Sequence, residues 1–296
     1  MNYINRLALF EAFLKQKVNE IKEKSILEIL HYSLIDGGKR IRPQLYICLC
    51  NDLKIIPYNE IGFCIECFHC ASLMHDDLPA IDNDDQRRGK LSTHKAFGES
   101  LTILVGDYLP AFGLEVVASN EHIPKKALIE LCKAYKNLCV GQIFDVQQNE
   151  EREKIQKYKT GALFKALFLS AYESLDISLK NISGLREDFE RASENFGALF
   201  QQVDDFLDIF AHNDVTGKQQ GSSDKRKNKN TLFVNEKMFS SALLEPLQNE
   251  YQGYLSEIHI VENKLGFELL EVREKSQEIL SRGGLIFSAA EVNFSV

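Results

Sequence analysis

A chain of 296 residues, 44% hydrophobic and 26% charged, has the composition of a globular protein with a sizeable core. Its net charge of −8 argues against general nucleic-acid binding, which favours basic surfaces, while leaving local basic pockets open. Seven cysteines, an odd number, read as free thiols of a reducing cytoplasm, and no apolar run approaches membrane-spanning length, so no stable membrane anchor is expected.

Helical periodicity dominates. Asn5 to Lys24 reads as an amphipathic helix, with Leu7, Phe10, Phe13, Leu14, Val18 and Ile21 at three- and four-residue steps. A second helix over 26–35 stops at Asp36-Gly37-Gly38, and Lys39-Arg40-Ile41-Arg42-Pro43 opens a third with proline in its first turn. The next helix covers 59–77, after which Pro79 disfavours helical geometry at Leu78. Further helices are expected over 99–118, 124–149, 151–175, 185–211 and 254–281. The polar segment 212–230 has no periodicity and reads as a long loop, of a length that is uncommon unless functional. With no strand alternation, repeat or linker, the expectation is one all-α domain over 1–296. Cys64, Cys67 and Cys70 beside His69 read as small hydrophobes on a helix flank; an iron–sulfur reading lacks its clustered fourth cysteine followed by proline.

Two acidic clusters stand out. The first places Asp76, Asp77, Asp82, Asp84 and Asp85 within ten residues, followed by Arg87-Arg88-Gly89. Crowded carboxylates repel unless a cation holds them, and adjacent arginines suit phosphate oxygens, so metal and phosphate can meet here. A solvated acidic loop is the other reading. The second cluster, Asp204-Asp205-Phe206-Leu207-Asp208, sits in a helical stretch with Asp204 and Asp208 at i and i+4 on one face. Gln142 and Asp145, at i and i+3, are either a third contributor or a buried hydrogen-bonding pair. From Asp76 to Asp82 is six residues, about 240° round an ideal helix, so the two share a metal only if the helix loosens between them.

These two motifs resemble the aspartate-rich motifs of the all-trans short-chain prenyl diphosphate synthases, the bacterial farnesyl type in particular. Gly37-Gly38-Lys39-Arg40-Ile41-Arg42-Pro43, Gly141-Gln142 through Asp145, Lys159-Thr160-Gly161, Phe200-Gln201 and Gly217-Lys218 follow in the family's order, covering about 30 to 231. The resemblance implies an isoprenoid synthase fold, a bundle of about ten or more helices round a central cavity. It also implies condensation of isopentenyl diphosphate with an allylic diphosphate (dimethylallyl or geranyl), in a homodimer.

The resemblance carries roles residue by residue. About three Mg2+ ions, with Mn2+ as an alternative, would bridge the allylic diphosphate to Asp76, Asp82 and Asp204, with Asp145 and Asp208 direct or through water. Arg87, Lys159 and Lys218 would hold the allylic diphosphate; Lys39, Arg42, His69 and Arg88 would hold isopentenyl diphosphate. The Thr160 hydroxyl or a carbonyl near Lys159, with the Gln201 oxygen, would face the allylic cation. Thr160-Gly161 within a helical run hints at a kink that exposes a carbonyl. Lys218 and Lys229 would close over the diphosphates, while Lys225-Arg226-Lys227 is either part of that lid or solvated. No protein base stands out, and released diphosphate is the implied proton acceptor.

Product length is expected to follow the pocket floor just before the first motif. Alanine at position 71, where many bacterial farnesyl enzymes carry an aromatic residue, makes room for a C20 product, and Phe68 or Met74 refills that room. The expectation is farnesyl diphosphate, with geranylgeranyl diphosphate as the alternative. A terpene cyclase has no need of the Lys39/Arg42 set, and a non-catalytic synthase subunit has no need of complete acidic motifs. The tail from Gly283 to Val296 lacks the basic finish of several relatives.

Overall fold

Ile61 to Phe68 are buried without interruption, which no helix with a solvated face allows. They lie in α4 (Asn59–Asp76), the central helix of the computed structural model, which describes residues 3–148, 150–210, 244–282 and 285–294. One side of α4 packs with α1 (Tyr3–Asn19), α2 (Lys24–Leu30) and α6 (Glu99–Ala118) around Phe10, Leu14, Leu30, Phe63, Cys67 and Leu109. Its other side joins a larger core with α3 (Ile41–Asp52), α7 (Lys125–Gln147), α9 (Ala162–Glu173) and α11 (Leu185–Phe210). Helices α3 and α4 contribute residues to both cores.

The helices expected from periodicity are present, with three revisions. The stretch over 151–175 is α8 (Arg152–Gln156), a π turn (Lys157–Gly161) and α9. A second π turn (His31–Ile35) ends α2. The helix expected over 254–281 is two helices, α12 (Glu245–Leu265) and α13 (Leu270–Leu280), divided at Gly266 with φ 75°. Between them Glu262 Oε1 accepts from the Leu269 amide at 2.7 Å. Short helices α5 (Thr93–Phe97) and α10 (Ile177–Lys180) fill the connections.

Strands were not expected, and two small hairpins are present. β1 (Gln86–Arg87) and β2 (Lys90–Leu91) are joined by Arg88 and Gly89, both at positive φ (56° and 75°), as a two-residue hairpin turn requires. β3 (Leu285–Phe287) pairs with β4 (Val292–Phe294), burying Leu285 and Phe287 and exposing Ile286. Such short strands leave no readable alternation. The expectation about apolar runs is also revised: α6 is long and apolar enough to cross a membrane. It packs instead along α4, where Gly113 admits Cys64 and Cys67, and its Cβ-less Gly106 leaves the notch that His75 fills.

Candidate active site

Helix α4 ends at Asp76, and the chain folds back at once. The Asp82 amide donates to the Asp76 carbonyl at 2.8 Å and the Asp84 amide to the Asp77 carbonyl at 3.2 Å. This reversal breaks the helix between Asp76 and Asp82, as a shared metal would require, and brings the Asp82 backbone back to the helix end. Asp77 is buried and takes the Arg87 guanidinium, whose Nε lies 3.0 and 3.2 Å from its two oxygens. Burial alone would lower the Arg87 pKa; Asp77, then Asp84 and Asp76, outweigh it and raise it. Arg87 therefore pins β1 against the end of α4.

The π turn lies opposite. Lys159 Nζ sits between Asp145 Oδ2 (2.9 Å) and Asp76 Oδ2 (3.3 Å). Desolvation pulls its pKa down, but the two carboxylates prevail and hold it above the usual lysine value. Asp145 thus pairs with Lys159 rather than with Gln142, whose buried amide nitrogen and oxygen both lack a hydrogen-bond partner in the protein. Next to Lys159, Thr160 Oγ1 donates to Gln201 Oε1 at 2.6 Å, joining the turn to α11. The close approach has a cause: a Cβ on Gly141 would lie 2.5 Å from the Lys159 nitrogen, and one on Gly197 3.0 Å from the Gly161 Cα.

On α11, Asp204 pairs with Arg282 Nη2 at 2.6 Å, and Arg282 also lies over the Phe200 ring. This arginine lies just past the end of α13. Its signal in the sequence was only its place after a helix-like run. Asp208 falls within α11, but its side chain, and all of Lys218 and Lys229, lie outside the described residues.

A basic cluster adjoins the acidic one. Arg42 is 8% exposed and stacked on Phe164 at 4.9 Å, and its Nε lacks a hydrogen-bond partner in the protein. Arg88 reaches beneath the Gly37-Gly38 turn, donating to the Ser33 carbonyl at 3.3 Å. Burial, then Arg42, Arg88, Arg87 and Arg40, hold the His69 imidazole well below its usual pKa, so it is neutral. Lys39 stands exposed at the rim. Arg40, by contrast, is structural: it is buried against Glu66 (3.3 Å) and Glu11 (3.1 Å).

Below the acidic motif a cavity of about 560 Å3 opens between α4, α6 and α7. Asp76 and Gln142 stand in its wall; Ser72, Leu78, Ile103, Tyr135, Leu138 and Ile143 make it largely apolar. Ser72 lines it, whereas Ala71 is packed into the core around Phe10. Tyr135 stacks on the buried Phe68, ring centroids 4.8 Å apart. Cys64, Cys67 and Cys70 are free and buried, with thiols pushed up by desolvation (Cys70 to about 11), and serve as apolar packing.

Two charged subsites of opposite sign above an apolar cavity suit an amphiphilic phosphate ester, and comparison with known proteins agrees. The Polyprenyl synthetase family model matches residues 23–258. This chain belongs to that family. It is similar to farnesyl diphosphate synthase of Micrococcus luteus, 36% identical over 214 residues, covering 66% of this chain and 70% of that one. It is also similar to chloroplastic geranylgeranyl pyrophosphate synthase of Catharanthus roseus, 33% identical over 281 residues, covering 84% and 76%. In fold it is similar to a geranyltransferase of Legionella pneumophila, with TM-score 0.75 and 28% identity over 94% of each chain. The synthase is therefore a short-chain prenyltransferase with the all-α isoprenoid synthase fold.

Proposed function

We propose that the synthase makes farnesyl diphosphate from isopentenyl diphosphate and dimethylallyl or geranyl diphosphate. The observation that carries the reading is the pairing of Asp76, Asp145 and Asp204 with a separate Arg42–His69–Arg88 cluster. One subsite suits a metal-bound diphosphate and the other a metal-free one. Among the described residues no three His, Cys, Asp or Glu side chains form a ready-made metal cage. That fits Mg2+, which keeps waters and shares its shell between a few carboxylates and phosphate oxygens. Asp76, Asp82 and Asp204, with Asp145 and Asp208, would hold it, and Mn2+ has the same oxygen preference. When bound, the metal neutralises charge on the departing diphosphate.

The chain's own groups do the rest. Lys159 is positively charged beside Asp76 and reaches the same diphosphate, with Arg87 behind it. Lys218 and Lys229 are proposed to complete the grip. Arg42, Arg88 and neutral His69, with Lys39 at the rim, bind and orient isopentenyl diphosphate. The Thr160 hydroxyl and Gln201 oxygen face the allylic carbon as its bond to oxygen breaks, and the apolar walls of the cavity receive the growing chain. Tyr135, backed by Phe68, is proposed as the floor that stops growth at fifteen carbons. The second reading, a C20 product, is favoured by Ser72, which leaves that part of the wall small.

The synthase is further proposed to act as a cytoplasmic homodimer, its seven free thiols suiting a reducing compartment. Incubation with isopentenyl and dimethylallyl diphosphates and Mg2+ is expected to give mainly the C15 diphosphate. A mainly C20 product would overturn the chain length, and no elongation at all would overturn the reaction.

A further inference from the structure

The second acidic motif contains an aspartate that the metal reading leaves idle. Asp205 is 5% exposed, whereas the neighbouring Asp204 side chain is 43% exposed. Donors converge on it: Arg152 Nη2 and Gln156 Nε2 (3.2 Å), both from α8, on Oδ2, and Gln201 Nε2 (3.0 Å) on Oδ1. Held this way, it is a poor candidate for a metal shell and a good one for something else.

The polarity of these bonds is dictated by chemistry. A carboxylate only accepts, so the Gln201 amide must turn its nitrogen to Asp205 and its oxygen to Thr160. Thr160 Oγ1 donates its single proton to that oxygen at 2.6 Å, leaving lone pairs as all the hydroxyl can offer elsewhere. Asp205 therefore sets the direction of the whole chain. We propose that Asp205 is a positioning residue for allylic ionisation: through Gln201 and Thr160 it keeps acceptor oxygens, rather than hydrogens, turned to the carbon that becomes positive.

The proposal rests on the prenyl-transfer reading above. In the step concerned, the allylic carbon–oxygen bond breaks and its electron pair leaves with the diphosphate. The positive charge left on carbon is met by the Thr160 lone pairs and the Gln201 oxygen. The double bond of isopentenyl diphosphate then forms the new carbon–carbon bond, and a proton is lost to the released diphosphate. Asp205 neither gains nor loses a proton.

Asp205→Asn tests this nearly isosterically. The charged Arg152 takes the single amide oxygen, and the NH2 edge meets Gln201. Gln201 then turns over, donates to Thr160, and drives the hydroxyl hydrogen towards the reacting carbon. A fall in kcat of about 10²-fold or more is expected, comparable to losing a fixed dipole at a reacting centre, with KM little changed. Asp205→Asn with Gln201→Glu restores an acceptor on both sides and should recover at least about tenfold of kcat. Asp205→Asn with Thr160→Val removes the misdirected hydrogen and should turn over faster than Asp205→Asn alone. Neither a structural role nor loss of net charge predicts that inversion.

A readout independent of activity is the Gln201 side-chain amide in a proton–nitrogen NMR spectrum. Its carboxylate-bound proton should lie downfield in the wild type and move upfield in Asp205→Asn. An unmoved resonance, a wild-type kcat in Asp205→Asn, or failure of both second substitutions in folded protein would each overturn the proposal. A resonance that moves as expected in Asp205→Asn, beside a wild type that elongates nothing, would instead remove the prenyl-transfer reading on which the catalytic role rests.

Discussion

His69 shows how one residue's surroundings become a measurable pH dependence. Burial and four arginines keep it neutral when folded, while in the unfolded chain it protonates near its ordinary value of about 6.5. Below that pH the unfolded state binds more protons, so stability falls with falling pH until the depressed folded pKa is reached. His69→Gln removes this loss. Between about pH 7.5 and about pH 5 the urea midpoint of wild type should fall further than that of the variant; parallel curves would contradict a neutral, cation-ringed His69. Tyr135 is the matching residue for specificity. Tyr135→Ala opens the cavity towards Phe68 and should shift product from C15 towards C20 in a chromatographic assay, with unchanged length showing that the floor lies elsewhere. In the sequence Asp76 stood out through its acidic cluster, whereas Lys159, Thr160 and Gln201 were marked only by the resemblance to a known family. Arg282 was marked by neither, because its use depends on α13 ending beside Phe200, a long-range contact that local pattern does not encode.

At the scale of elements, the π turn over 157–161 is the part on which Lys159 and Thr160 depend, and two glycines on neighbouring helices make room for it. In Gly141→Ala the new Cβ would lie 2.5 Å from the Lys159 nitrogen and 2.7 Å from the Tyr158 carbonyl carbon, backbone atoms that cannot rotate away. The expected cost is about 1–3 kcal/mol, seen as a lower melting temperature. Turnover should fall more than the folded fraction does, because Lys159 and Thr160 move with the turn. Gly161→Ala is the control: its Cβ meets nothing closer than 3.7 Å, and alanine's better helix propensity, worth up to about 1 kcal/mol, makes it neutral or stabilising. If both variants melt alike, close approach at Gly141 is not what shapes the turn. This also explains what periodicity conveyed and what it did not. Apolar spacing located α4, α6, α7 and α11 to within a few residues. A π turn of five residues is too short to leave a period of its own, so only Thr160-Gly161 hinted at one. The break at Gly266 lies inside a continuous helical pattern, and one glycine there is no firm stop.

At the scale of the molecule, the outer face of α6 and α7 is the candidate seam for the proposed homodimer. Ile129, Cys132, Lys136, Cys139, Ile143 and Val146 follow one another at steps of three and four along α7, all exposed, the spacing of a coiled-coil seam. Ile143 and Val146 are 52% and 59% exposed, and α6 adds Ile103 and Leu104 at 43% and 63%. Acidic Asp107 and Glu115 on α6 complement Lys133 and Lys136 on α7, so a two-fold pairing would set each helix against the other's counterpart. Ile103 and Ile143 also line the cavity, so the same pairing would seal the outer wall of the prenyl pocket. Ile143→Asp places a charge in that seam and should halve the mass measured by light scattering. It should also lower elongation past C10, since a pocket open to water holds a longer chain less well. A wild-type protein that is monomeric at assay concentration, or a monomeric variant with the wild-type product pattern, would show that the pocket needs no second copy.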